Sequence, residues 1–457
     1  MPRLPMPGFG RAAAGLCVVF LAGCASLSSD GGLNDVSSLT QERIGQAAHF
    51  TKDAGGNQPK LQELLGQPLT AESAVQIALL NNAGLKASFA ELGVAEADFV
   101  QAGRMRNPSF SFSRVSGAGE GEIERSVVFD VVGLLTLPAR KRIEHGRYEQ
   151  AKLQAAAQAV QLAADTRGAY FTAVAAAQSA AFAEQVRGAA EASSALAASM
   201  AKVGNWSKLD QAREQAFYQD ALIQLARTRH VASASREQLV RLLGLWGARQ
   251  EFVLPDHLPE LPSRPQEMND AEAQAMAQRL DILAARRDID ATASALGLTK
   301  ATAFINVFDA GYANKNEAGL PRQNGYQVAL ELPIFDWGGA KVARAEAVYM
   351  QSVHRTTDAA VRARSEVREA YSSYRTTYDI ARHYRDDVVP LRKEISDQVL
   401  SRYNGMLASV FELLADSREQ LASVNAAIET QRDFWIAETR LQSAINGGGN
   451  TDTRSKP

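Results

Sequence analysis

Residues 107–138, NPSFSFSRVSGAGEGEIERSVVFDVVGLLTLP, decide the plan of this chain. After Asn107-Pro108, Phe110 and Phe112 alternate with Ser109, Ser111 and Ser113. A glycine-rich turn follows at Gly117–Gly121. Then Val127, Phe129, Val131, Leu135 and Leu137 alternate with Val128, Asp130, Val132 and Thr136, and Pro138 closes the run. Alternation with a period of two predicts a pair of strands, each with one apolar face and one more polar face. From Ala139 to Leu254 there is no proline, a run of 116 residues rich in Ala, Gln, Glu, Arg and Leu. That composition predicts long helices and excludes the regular strand-and-turn punctuation of a doubly wound enzyme.

The plan recurs. Phe304, Phe308 and Tyr312 share a face with Asn306 and Ala310, a turn falls around Asn314–Asn324, and Tyr326, Val328, Leu330 and Leu332 alternate with Gln327, Ala329 and Glu331 before Pro333. Arg167-Gly168-Ala169-Tyr170 matches Arg368-Glu369-Ala370-Tyr371 at an offset of 201, and Gly204 and Gly405 keep that offset. Arg213-Glu214-Gln215 matches Arg418-Glu419-Gln420 at 205, one helical turn further on. Such ordered self-similarity predicts a duplicated chain. Each half reads as a strand pair, a long helix, a tight turn and a helix back. Arg140 to Gly204 would span roughly 96 Å as one helix, and Gly339 to Gly405 roughly 99 Å, with Pro390 as a kink candidate. The returning helices run from Asp210 to Leu243 and from Val410 to Ile445.

Composition narrows the class. In 457 residues, 49 Lys+Arg balance 51 Asp+Glu, so there is no footprint for nucleic acid. At 22% charged residues the chain is too polar for a bundle of membrane helices. Two Cys, and six His in no ligand spacing, exclude disulfide scaffolds and zinc fingers and predict neither metal nor cofactor. No phosphate-binding loop, nucleophile triad or His-Glu-x-x-His is present, so the expectation is not an enzyme.

Arg3 and Arg11 precede an apolar run from Ala12 to Ala22, too short to span a bilayer but sized for a secretory signal. It ends in Leu21-Ala22-Gly23-Cys24, which matches a bacterial lipobox and predicts lipidation at Cys24; an ordinary signal cleaved nearby is the alternative. Ala25-Ser26 favours the outer membrane over the inner. The predicted organisation is a signal at 1–23, a tether at 24–66 with a short helix around Leu39–Phe50, and a first repeat at 67–254 opening on Thr70 as N-cap. Within that repeat the strand pair covers about 108–137 and the helical hairpin 139–245. A Pro-rich linker at 255–265 leads to a second repeat at 266–446, with strands at about 303–333 and a hairpin at 339–446, then a tail at 447–457 disordered by composition.

Strands of about ten residues with unlike faces suit an outer-membrane barrel, although a soluble hairpin packed on helices has the same pattern. Four strands cannot close a barrel, and an open edge cannot face lipid. If these strands cross a membrane, several copies must share one barrel.

With these features the chain resembles the TolC family of outer-membrane channels. The resemblance rests on the lipobox, the opening Leu69-Thr70…Ala74…Ile77-Ala78-Leu79…Asn82, Asn107-Pro108, Leu239–Leu245, and the doubled strand-pair-plus-coiled-coil plan. Two turn motifs belong to it as well, Lys202-Val203-Gly204-Asn205-Trp206-Ser207…Asp210 and Tyr403-Asn404-Gly405-Met406-Leu407-Ala408-Ser409. It covers about Leu69 to Ala444. It implies a mainly α protomer with four transmembrane strands, and a homotrimer whose twelve strands form one barrel above a coiled-coil tunnel. It implies a passive, lipid-anchored exit duct in the outer membrane, working with a periplasmic adaptor and an inner-membrane pump. Gly204, Asn205, Trp206 and Ser207, with Gly405, Met406, Leu407, Ala408 and Ser409, become the tips where the adaptor docks. Glu412 and Asp416, four apart on one helix face, become periplasmic gate candidates, one residue out of the family's spacing. The expected cargo is small toxic solutes, drugs or metal ions. The alternatives are a type I secretion channel for polypeptides and a lipid-anchored coiled-coil scaffold without a pore.

Overall fold

The computed structural model of the protein describes residues 26–48, 58–117, 120–247, 251–268, 270–305 and 307–447. The signal segment, Cys24 and residues 448–457 lie outside them. In chain order the elements are α1 (Leu33–Ile44), α2 (Gln58–Leu65), α3 (Ala71–Asn81), α4 (Ala83–Ala102), β1 (Ser109–Gly117), β2 (Glu120–Asp130), α5 (Val131–Lys202) and α6 (Lys208–Leu243). The second half brings α7 (Ala271–Gln278), α8 (Leu280–Ala301), β3 (Phe308–Glu317), β4 (Gln323–Leu330), α9 (Gly339–His383), α10 (Val389–Asn404) and α11 (Val410–Asn446). The fold is mainly α with one small sheet. Thr70 caps α3 through a reciprocal bond pair with Ser73, as its position before the apolar stripe predicts.

The alternation that predicts a strand through Leu137 is cut short at Asp130. Asp130 Oδ1 accepts the Gly133 N–H at 2.6 Å, the bond an N-cap side chain makes to the third residue of a helix. Val131 therefore opens α5, and Leu135, Leu137 and Pro138 are helical. Carbonyls around the proline are engaged by side chains: Thr136 Oγ1 donates to Val132 at 2.7 Å and Arg140 Nη2 to Gly133 at 2.6 Å. The other half differs. β4 ends at Leu330, three residues before Pro333, and a loop holding Phe335 and Trp337 precedes α9.

Contacts divide the chain into two compact units. The first holds 26–34, 89–154 and 283–359, and with them the sheet. Its four strands are antiparallel in the order β1-β2-β3-β4. The register runs straight across: Phe110 faces Val127, Val127 faces Tyr312, and Tyr312 faces Tyr326.

The second unit holds 35–88, 155–282 and 360–447. One core gathers Leu69, Ile77, Tyr170, Val174, Leu239 and Leu243; another gathers Val367, Tyr374, Tyr378, Phe434 and Leu441. The duplication is visible at the helix breaks. Asn82, between α3 and α4, has φ −62° and ψ 123°; Arg279, between α7 and α8, has φ −58° and ψ 126°. Against each break rests a left-handed glycine that ends a returning helix: Gly244 after α6 and Gly447 after α11. A Cβ on Gly244 would lie 2.8 Å from the Asn81 carbonyl oxygen, and one on Gly447 2.5 Å from the Leu280 nitrogen. The helix-end carbonyls are met by different chemistry. Asn81 and Asn82 amides donate to Leu242, Leu243 and Gly244; the Arg279 guanidinium donates to Ala444.

Pro390 is at the start of α10, just after a π-helical turn, Tyr384–Val388, in which the Val389 N–H bonds back to Tyr384. Proline lacks the N–H that the helical ladder needs, so the break falls there. The tether carries more helix than an extended segment would. α1 ends at Ile44, short of the expected Phe50, and is anchored by buried Val36 and Thr40; α2 is anchored by Leu61. The Pro-rich linker is docked too: Tyr378 Oη donates to Pro262 and Ser263, and Trp435 Nε1 to Pro259.

Candidate functional site

The register sorts the strand residues onto two faces, because cross-strand partners share a side. One face carries Phe110 and Phe112 of β1, Val127 and Phe129 of β2, Phe308, Ala310 and Tyr312 of β3, and Tyr326, Val328 and Leu330 of β4. Most of these large apolar groups are exposed, Tyr326 by 93%. Toward the hairpin ends this face turns polar, through Arg114, Arg125, Asn314 and Asn324. The opposite face carries Ser109, Ser111 and Ser113, then Glu122, Glu124 and Ser126, then Asp309, Lys315 and Glu317, then Gln323 and Gln327, with Val115 and Val128 as exceptions. Ser111 and Ser126 hydroxyls bond across β1 and β2 at 2.7 Å, and Lys315 Nζ reaches Glu122 at 2.8 Å. An exposed apolar sheet face cannot stay in water, since burying each such side chain is worth about 1.5–3 kcal/mol. β1 and β4 are both edges, and an edge is a template for another strand.

The turn motifs form two tips with one hydrogen-bond scheme. In the first, the Asn205 N–H bonds Met200 O at 2.9 Å, five residues back, and Ser207 caps α6 by accepting from the Asp210 N–H. In the second, Leu407 bonds Arg402 at 2.8 Å and Ser409 caps α11 by accepting from Glu412. Every equivalent pair is 202 apart. The left-handed residue of the first tip is Gly204, φ 83°; that of the second is Met406, φ 59°. Gly405 has φ −81° and stands where Val203 stands. Gly204 and Gly405 are thus not counterparts, and a methionine holds the strained position. Val203, Leu209, Met406 and Leu407 expose apolar side chains, Met406 by 94%, while Trp206 and Ala408 are half-buried.

Glu412 is exposed beside the second tip, 3.4 Å from Arg402 Nη1. Asp416 is half-buried one turn on, and its Oδ2 has no hydrogen-bond partner among the described residues. Nearby is a contact that the sequence reading missed. Glu214, 2% exposed, accepts from Ser193 of α5 at 2.7 Å and from Arg418 of α11 at 2.9 Å. Arg418 also lies over the Phe217 ring at 4.1 Å. Among the described residues no group of His, Cys, Asp and Glu could hold a metal, and no helix is long and apolar enough to cross a membrane.

Solved structures share this arrangement. A membrane protein from Pseudomonas aeruginosa superposes with a TM-score of 0.71 at 20% identity, over 84% of this chain and 95% of that one. The outer membrane protein VceC of Vibrio cholerae gives 0.69 at 17% identity, over 82% and 96%. The Campylobacter jejuni CmeC outer membrane channel gives 0.67 at 16%, over 98% and 94%. No protein-family model matches the chain, and no curated protein matches it. The fold is that of the TolC-like outer-membrane channels.

Proposed function

We propose that this chain is one protomer of a trimeric outer-membrane channel of the TolC type, the passive exit duct of a tripartite efflux pump. The four-stranded sheet with one apolar face, one polar face and two open edges carries this reading. Three copies would join β4 to β1 around a twelve-stranded barrel, which turns the apolar face to lipid and leaves no edge. A pore-free scaffold has no use for such a sheet. The likeness to a membrane protein of Pseudomonas aeruginosa, an outer membrane protein of Vibrio cholerae and an outer membrane channel of Campylobacter jejuni supports the same architecture.

In that assembly the helices extend the duct into the periplasm. The tips around Gly204 and Met406 offer apolar side chains to an adaptor's helices, Glu412 and Asp416 ring the entrance, and Cys24 takes the lipid anchor. Cargo is small toxic solutes moved by an inner-membrane pump; this chain supplies no chemistry. Its barrel lumen would carry Glu122, Glu124, Asp309 and Glu317 against Lys315, so small cations pass more readily than anions.

The test is the mass of the particle extracted from outer membranes in mild detergent. Three chains, reduced to one when residues 109–130 and 308–330 are replaced by short linkers, is the expected result. A monomer released merely by cutting behind Cys24 overturns the channel and promotes the scaffold.

A further inference from the structure

The end of the sheet where β1 begins and β2 ends holds a basic pocket that the duct does not account for. It is a cavity of about 380 Å³, with Arg104, Arg106, Arg140 and Arg147 against Asp98 and Glu144. Arg106 is 3.7 Å from Asp130 and Arg147 is 2.6 Å from Glu144. Arg140 gives Nη2 to the Gly133 carbonyl, while its Nε has no hydrogen-bond partner among the described residues. Four arginines thus stand against Asp98, Asp130 and Glu144.

Position gives this surplus a meaning. Arg106 comes three residues before β1, and Phe110 and Phe112 open the apolar face at that same end. Met105, exposed, lines the pocket itself. A strand face that meets lipid must stop where the headgroup layer starts, and the phosphates of that layer are then level with these arginines. Arginine's planar fork suits a phosphodiester, and basic pockets at a membrane rim favour anionic headgroups. A free anion needs the arginines only; a lipid needs the adjoining apolar surface too, and both are present.

We propose that this pocket takes the phosphodiester headgroup of an anionic glycerophospholipid, one for each copy of the chain. The proposal rests on the reading that the apolar sheet face meets lipid.

Native mass spectrometry of the full chain in a neutral detergent tests it, with phosphatidylglycerol and phosphatidylcholine offered at equal concentration. The wild type should retain phosphatidylglycerol preferentially, and millimolar inorganic phosphate should not displace it. The Arg140→Gln/Arg147→Gln variant should lose that retention by about thirtyfold, about fivefold for each of the two cations removed. Arg104→Gln/Arg106→Gln, placed in an exposed loop, should behave alike if the helix variant does not fold. Equal retention of the two lipids, or variants that bind like wild type, overturns the proposal. Displacement by phosphate reassigns the pocket to a free anion and overturns it equally. The same spectra count chains per particle. A trimer without lipid preference sinks this inference alone, whereas a monomer sinks the duct.

Discussion

The two halves of the chain build the same junctions from different residues. At the helix break, the first half satisfies the end of α6 with two neutral amides, Asn81 and Asn82. The second half uses Arg279, 1% exposed, which also bonds Asp281 and Glu366 at 2.8 Å. Burial pulls the pKa of that guanidinium down, but hydrogen bonds and charges from the two carboxylates outweigh it and the net shift is upward. At the tip, the first half puts glycine in the left-handed position and the second puts methionine there. Duplication preserved the geometry and left the chemistry free to vary. Equivalent substitutions should therefore have unequal costs.

The largest inequality is expected at the break. Arg279→Met should cost about 3 kcal/mol, because it removes the shared partner of two carboxylates and of a buried carbonyl. Asn82→Ala should cost about 1 kcal/mol, the worth of a neutral hydrogen bond. Urea unfolding of both variants measures the gap, and equal midpoints would break the comparison. Next come Gly244→Ala and Gly447→Ala. Each should lose about 2 kcal/mol from the left-handed φ, with a further loss where the new Cβ meets backbone. The closer approach at Gly447 puts it ahead of Gly244, an order that the same urea curves would reverse if the halves were interchangeable here.

The tips should answer with opposite signs. Gly204→Met imposes the strain that Met406 already bears, so it should destabilise the first hairpin by about 1 kcal/mol. Met406→Gly should stabilise the second by a similar amount. Hydrogen exchange at the helix ends on either side of each tip reads this locally, and like signs would show that Met406 is not strained.

The smallest effect concerns Glu438. Burial raises its carboxyl pKa, Arg167 opposes this, and Glu72 adds to it. A carboxyl with a raised folded pKa binds its proton more tightly when folded. Its stabilising contribution is complete below the unfolded pKa and is lost as the pH rises through the folded value. Glu438→Gln should melt above the wild type at neutral pH, and the curves should converge toward the ordinary carboxylate range. A constant difference at every pH would refute this assignment.

Much of this architecture was legible in the sequence because its signals are periodic. Alternation at Phe110, Phe112, Val127 and Phe129 specifies a strand face, and self-similar segments specify two halves. What was illegible is local or non-local rather than periodic. Val131 to Leu137 fits strand and helix alike, and only the hydrogen bond that the Gly133 N–H donates to Asp130 decides for helix. The sequence pairs the tips by a shared letter, glycine, whereas the structure pairs them by φ, one residue later in the second copy. Glu214 and Arg418 sit 204 positions apart, so no spacing rule joins them. The basic pocket assembles arginines from the loop before β1 and from α5, whose charges, read along the chain, look like ordinary surface.

The π turn at Tyr384–Val388 explains a discrepancy between the repeats. Arg167-Gly168-Ala169-Tyr170 and its echo are 201 residues apart, yet the tips below them are 202 apart. Somewhere between Tyr371 and Arg402 the second copy holds one residue more than the first. Inserted into a regular helix, it would have rotated everything beyond it by about 100° and turned the buried side outward. A turn that bonds five back instead of four houses one extra residue without that rotation. The turn thus takes up the second copy's extra residue, so that both copies still bring their tips round in phase.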